Sequence, residues 1–250
     1  MVAYLREHPP VIRQFRARTA KPSGVTVIHT AESVMDTVGP DTGAEAVAKY
    51  MVTRTSYGSY HDLVDSDGYV HLVDYGDQAY QDGTGSNPHA LSISFACRTS
   101  DWLSMSDDRR ADFLRHGARA FAAQQAWLDA NGHPTTPLRR INKTQSDVRV
   151  AGLISHGQRD PARRTDPGTD FPWDEFFEAC ADAITPYETD DPEDDVLTPG
   201  QDATLQQIAT YVDELRNANA ADRAAREQFQ GDVLARLDAL EANTRTEPQP

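Results

Sequence analysis

GVTVIH, residues 24–29, is the stretch from which the fold is read. Gly24 interrupts the preceding chain, and Val25, Thr26, Val27 and Ile28 follow as a short run that is mostly apolar and β-branched. Such a run predicts a central strand of a buried sheet, because branched side chains pack well on a pleated surface. The run ends in His29, which places an imidazole at the carboxyl edge of that strand. Open α/β sheets commonly hold their ligands at this edge.

Outward from this strand, helix and strand patterns alternate. GAEAVAKYMVTR (43–54) has helix composition, with Val47 and Met51 on one side. SYHDLVDSDGYVHLVDYG (59–76) has two strand-like halves around Asp65-Ser66-Asp67-Gly68, a hairpin signal. ALSISFACR (90–98) predicts another strand, and RADFLRHGARAFAAQQAWLDANG (110–132) a long helix stopped by Asn131-Gly132. FPWDEFFEACADAI (171–184) predicts a last helix, with Pro172 suited to its first turn. The expected fold class is α/β, a mixed central β-sheet flanked by helices.

GLISHGQRDPARRTDPG (152–168) breaks this regularity. Val150, Leu153 and Ile154 predict the end of a buried element, and everything after His156 reads as loop because Pro161, Pro167 and Gly168 interrupt regular structure. A loop that carries His156 and Asp166 on a rigid scaffold is a usual location for metal ligands or catalytic groups.

Charge and composition set the outer limits. The net charge of −15 is uneven: from Pro186 onward there are 15 acidic and 5 basic residues, a balance of −10, which leaves −5 for the first 185. So acidic a surface excludes nucleic acid as the expected partner, since phosphate binding needs clustered cations. No apolar run approaches the ~20 residues of a membrane span, so no membrane insertion is expected. MVAYLREHPPVIRQFRA has no apolar core of a secretory signal, which implies synthesis in a cytoplasm. Cys97 and Cys180 are expected to be buried free thiols.

These features predict four segments: a main domain over 1–186, an acidic Pro/Gly linker over 187–203, a helical appendage over 204–243 and a disordered tail over 244–250. In the appendage, Leu205, Ile208, Val212 and Leu215 recur at helical spacing, as do Phe229, Val233, Leu237 and Leu240. Asn219, Asp222 and Arg226 interrupt the stripe. A coiled coil that makes a homo-oligomer and a helix folded back on itself or on the main domain both fit.

His29 alone reads as a structural residue at a strand end, and His156 alone is unremarkable. Taken together, His29, His156 and Asp166 are two imidazoles and a carboxylate, a donor set that leaves a fourth position open on Zn²⁺. Spacing does not show that they converge.

Four motifs carry a resemblance. VIHTAES (27–33), GSYHDL (58–63), DGTGSNPHA (82–90) and SHGQRDPARRTDPG (155–168) resemble, in order, segments of the zinc N-acetylmuramoyl-L-alanine amidases related to peptidoglycan recognition proteins. They are most similar to the amidase domains of endolysins from phages of actinobacteria. The resemblance implies Zn²⁺ held by His29, His156 and Asp166, with Tyr60 and Arg164 catalytic and Asn87 beside the substrate groove. It implies peptidoglycan as substrate, cleavage of the amide between N-acetylmuramic acid and L-alanine, and a protein made in the host cytoplasm that acts on the bacterial cell wall. Without it, Arg164 reads as a surface ion pair with Asp160 or Asp170, and Tyr60 as a half-buried strand tyrosine.

The chain departs from the family in two places. Ser94 stands where some members have a glutamate base, and Gln81 stands where many have a histidine. Ser94 is therefore expected only to bind substrate, and Glu32, three residues past His29, is the candidate base; its bland alternative is a capping or salt-bridging carboxylate. Competing with an endolysin amidase are a non-catalytic peptidoglycan-binding module of the same fold and a bacterial muropeptide-recycling amidase.

Overall fold

The computed structural model describes residues 14–33, 35–36 and 40–184. The expected linker, helical appendage, tail and oligomer contact all lie outside the described residues.

A five-stranded mixed sheet organises the chain. Its strands are β2 (Val25–Thr30), β3 (Asp62–Val64), β4 (Tyr69–His71), β6 (Ala90–Phe95) and β7 (Gly152–Ser155), in the order β4-β3-β6-β2-β7. β3, β6, β2 and β7 run parallel, and β4 is antiparallel to β3. The GVTVIH segment is thus an interior strand, with all six residues of β2 buried. The hairpin turn forms as expected: Asp65 N donates to Gly68 O at 3.0 Å, and Gly68 N donates to Asp65 Oδ1 at 2.9 Å. The halves of the 59–76 segment are paired over only three residues each. A separate antiparallel pair, β1 (Phe15–Ala17) with β5 (Asp77–Ala79), has no counterpart in the sequence reading.

Helices cover both faces, so the architecture is α/β. α1 (Gly43–Thr53) packs Ala44, Val47, Ala48 and Met51 on Leu63 and Leu72. On the opposite face lie α2 (Asp107–Ala130) and α5 (Trp173–Ile184), packed with Ile28, Ile93 and Phe95. α2 begins three residues earlier than the apolar pattern indicates because Ser106 caps it, accepting from Arg109 N. At α5, Pro172 O accepts from Phe176 N, so the proline sits just ahead of the first turn. Asp62 is fully buried and ties the hairpin to α2: His71 Nδ1, Tyr75 Oη and Gln124 Nε2 lie 2.9, 3.1 and 2.7 Å from its oxygens. Cys97 and Cys180 are buried and unpaired. No helix among the described residues is long and apolar enough to cross a membrane.

The core centres on Phe95, whose ring is fully buried and lies 5.3–5.8 Å from the rings of Trp102, Phe171 and Phe176. α2 makes its tightest approach to this ring at Gly117. A Cβ there would stand 2.7 Å from Phe95 Cε1 and Cζ and 3.2 Å from Phe176. Gly117→Ala gains about 1 kcal/mol of helix propensity but drives a methyl into a ring enclosed by other rings. Overpacking of this kind costs about 1–3 kcal/mol, so Gly117→Ala should lower the thermal midpoint by several degrees in a melt of the whole protein. An unchanged or higher midpoint would contradict this account of the α2 contact.

Candidate metal centre and groove

Strand register brings the two histidines together. β7 lies beside β2 with Ile28 opposite Ser155, so the next residue on each chain is a histidine. The rings of His29 and His156 are 4.6 Å apart, centroid to centroid. His156 does not start a loop, as its surroundings in the sequence suggest. It is the first residue of a single helical turn, α4 (His156–Arg159), because Ser155 Oγ caps the turn by accepting from Gln158 N. The prolines and glycine act only after it. The chain then loops back until Gly157 N donates to Asp166 O at 2.7 Å. A Cβ on Gly157 would sit 3.0–3.1 Å from backbone atoms of Thr165, so this closure favours a residue without a side chain.

Asp166 Oδ2 ends 3.1 Å from His156 Nδ1 and 3.5 Å from His29 Nδ1. The three donor atoms lie within 4.8 Å of one another, and all three residues are buried. Donors bound about 2.0–2.1 Å from a tetrahedral ion stand about 3.3 Å apart, which both carboxylate contacts match. His29 is fully buried, and neither of its ring nitrogens has a hydrogen-bond partner. A polar group left so costs about 1–3 kcal/mol, and a metal ion held by these donors would remove that cost. The local electrostatics favour the ligating protonation states. Burial, aided by His156, lowers the pKa of His29 against the pull of Asp166. Burial opposes ionisation of Asp166, but the hydrogen bond from His156 and the closeness of the His29 ring prevail and hold it well below the usual carboxylate range. Neutral imidazole and ionised carboxylate are the forms that bind zinc.

Above these residues opens a groove of about 430 Å³ whose lining includes His156, Asp166, Tyr60, Arg164, Glu32 and Asn87. The Tyr60 ring is 4.9 Å from that of His29. Burial pushes its hydroxyl up to about 12, with the Asp166 charge adding to the effect and Ser94, Arg164 and Arg54 opposing it. Tyr60 is therefore a protonated donor at neutral pH. Arg164 is exposed at the rim and has no ion pair among the described residues; Asp160 is paired with Arg163 at 2.6 Å instead. Asn87 is buried, and its Oδ1 accepts from Asp82 N at 3.2 Å.

One expectation needs correction. Ser94, expected to touch substrate, is fully buried and absent from the groove lining. It sits in register between His29 and Leu63, with its hydroxyl beside that of Tyr60. The parallel register that brings its strand to the site also sinks its short side chain beneath the floor. Glu32 does reach the groove, but its Oε1 already accepts from Thr30 Oγ1 at 2.9 Å, from Thr99 N at 3.0 Å and from Thr99 Oγ1. Its backbone is left-handed, with φ of 51°, which is uncommon outside glycine and is often found at functional sites.

The aromatic pair beside the groove carried no sequence signal. Tyr57, 67% exposed, and Tyr80 pair their rings at 5.0 Å on one side. Gln81 lines the groove with a buried amide that has no partner among the described residues. Asp82 offers a backbone carbonyl to His156 Nε2 at 3.4 Å, a role that side-chain identity does not advertise.

No protein-family model matches the chain, and no curated protein matches it. Among solved structures it is similar to Staphylococcus aureus hydrolase AmiA in complex with its ligand, at 15% identity and a TM-score of 0.48 over 71% of this chain and 84% of that one. It is also similar to a mutant endolysin from Bacillus subtilis, at 19% identity and a TM-score of 0.44 over 68% and 94% of the two chains. A third is N-acetylmuramoyl-L-alanine amidase LysC from Clostridium intestinale, at 16% identity and a TM-score of 0.35 over 62% and 82%.

Elemental analysis of the purified protein should find one zinc per chain. His29→Ala and Asp166→Ala should each abolish that content while circular dichroism shows the fold retained. Zinc still bound at one per chain in either variant would place the ion elsewhere.

Proposed function

We propose that this protein is a zinc-dependent N-acetylmuramoyl-L-alanine amidase that cuts peptidoglycan, of the kind phage endolysins use in host lysis. The observation that carries this reading is the convergence of His29, His156 and Asp166 beside a groove lined by Tyr60 and Arg164. These are the five residues that the four motifs assign to ligation and catalysis.

Zinc bound by the two imidazoles and the carboxylate supplies Lewis acidity and an acidified water. The protein's own residues do the rest. Water adds to the lactyl carbonyl carbon of N-acetylmuramic acid, and the carbonyl oxygen becomes an oxyanion. The Tyr60 hydroxyl and the Arg164 guanidinium donate to that oxygen, each contributing about 3–4 kcal/mol if preorganised. Tyr60 suits this task because its hydroxyl keeps its proton at neutral pH. The C–N bond to L-alanine then breaks, and the leaving amine takes up the proton that the attacking water gave up.

To Glu32, a carboxylate that lines the same groove, we assign the transfer of that proton. Thr30 and Thr99 hold one carboxylate oxygen, which fixes the orientation of the group, and the hydrogen bonds they make all fall on Oε1. Glu32→Gln should keep zinc and fold but lower the turnover number by roughly 10²–10⁴-fold, the usual contribution of a positioned base. Turnover equal to that of the parent would remove Glu32 from the mechanism and leave proton transfer to solvent.

The bond that is cut tests the reading as a whole. Digestion of purified cell walls, followed by mass spectrometry of the released fragments, should show new L-alanine amino termini and intact glycan strands. New reducing sugar ends would mean a glycosidase. Wall binding with no released fragments would mean a binding module that lacks the reaction.

A further inference from the structure

His156 has two ring nitrogens, and a metal centre can use only one. Nδ1 faces Asp166, and Nε2 faces the carbonyl oxygen of Asp82 at 3.4 Å. A carbonyl oxygen only accepts, so this contact keeps the proton on Nε2 and leaves the Nδ1 lone pair for the metal. The carbonyl is useful only if it is held in place, and it belongs to a turn rather than to a strand.

That turn is braced from within. Asp82 Oδ1 accepts from Thr84 N at 2.8 Å, and Oδ2 accepts from Thr84 Oγ1 at 2.8 Å and from Ser86 Oγ. What ties the turn to His156 is Arg159, the last residue of α4 and itself only 2% exposed. Its Nη2 donates to Thr84 Oγ1 at 2.9 Å and its Nη1 to Asp147 Oδ1 at 2.6 Å. Its Nε lies 3.6 Å from Asp82 Oδ2 without a hydrogen bond. A buried guanidinium loses several kcal/mol of hydration unless carboxylates close around it. Asp82 and Asp147 are the two carboxylates paired with it, so the cation draws the 82–86 turn against α4. Because α4 starts at His156, the same contact sets the position of the Asp82 carbonyl relative to the ring.

We propose that Arg159 is a positioning residue for the metal centre, holding the Asp82 turn so that its carbonyl orients His156 for ligation through Nδ1. The proposal rests on the reading of His156 as a metal ligand. Arg159 touches neither the metal donors nor the groove, and its effect passes through the turn.

The test measures zinc affinity of the full chain by competition with a chromophoric chelator, alongside the thermal midpoint of the zinc-free protein. Arg159→Met should weaken zinc binding by about 10–100-fold, the usual effect of losing support for a ligand. Arg159→Lys, which keeps the charge but not the fork, should recover part of that loss. A role confined to stability predicts lower midpoints in the zinc-free variants with parental zinc affinity, and that result would overturn the proposal. If Arg159→Met does not fold, Thr84→Val removes the hydroxyl shared by Arg159 and Asp82, and parental affinity there is equally fatal. A parent that binds no zinc overturns both this proposal and the amidase reading. A parent that binds zinc, with variants that match it, overturns only the role of Arg159.

Discussion

The parallel pairing of β2 with both of its neighbours is the constraint on which the site depends. β2 is hydrogen-bonded to β6 along its whole length and to β7 over four residues. Parallel strands end level with one another at their carboxyl edges, so the residue that follows each strand is delivered to the same place. That geometry sets His29 beside His156, although 126 positions separate them in the chain. Because side chains alternate across a sheet, a one-residue slip of β7 would turn His156 to the opposite face.

The site is built from groups that gain nothing from burial by themselves. His29, His156, Asp82, Arg159 and Asp166 are all buried polar residues on one side of the sheet. The opposite face carries the aromatic cluster around Phe95, and α1 packs on Leu63 and Leu72. Apolar burial in these clusters offsets the cost of desolvating the polar residues, at about 25 cal/mol per Å² of apolar surface. This division explains why the groove has rigid walls while its donors remain incompletely paired.

Much of this was legible in the sequence because it rests on local rules. Branched residues after Gly24, the Asp65–Gly68 turn and the Asn131-Gly132 stop each act within a few positions, and each feature forms. Residues that misled are those whose neighbours come from elsewhere. The run after His156 looks like loop, yet a Ser155 cap makes it helical. Ser94 shares a strand edge with His29, yet its side chain is sealed under Tyr60.

The sequence by itself determined the class of fold and the order of the main elements, and its short motifs offered His29, His156 and Asp166 as a candidate donor set. It could do so because periodicity, turn chemistry and donor type are properties of short stretches. Only the tertiary structure decided that His29, His156 and Asp166 converge within 4.8 Å, that Ser94 is sealed beneath Tyr60, and that Arg159 is buried against Thr84 and Asp147. Each of these depends on distances between segments far apart in the chain. Such distances are set by strand register and by the closing of buried charges on one another, and no local pattern encodes them.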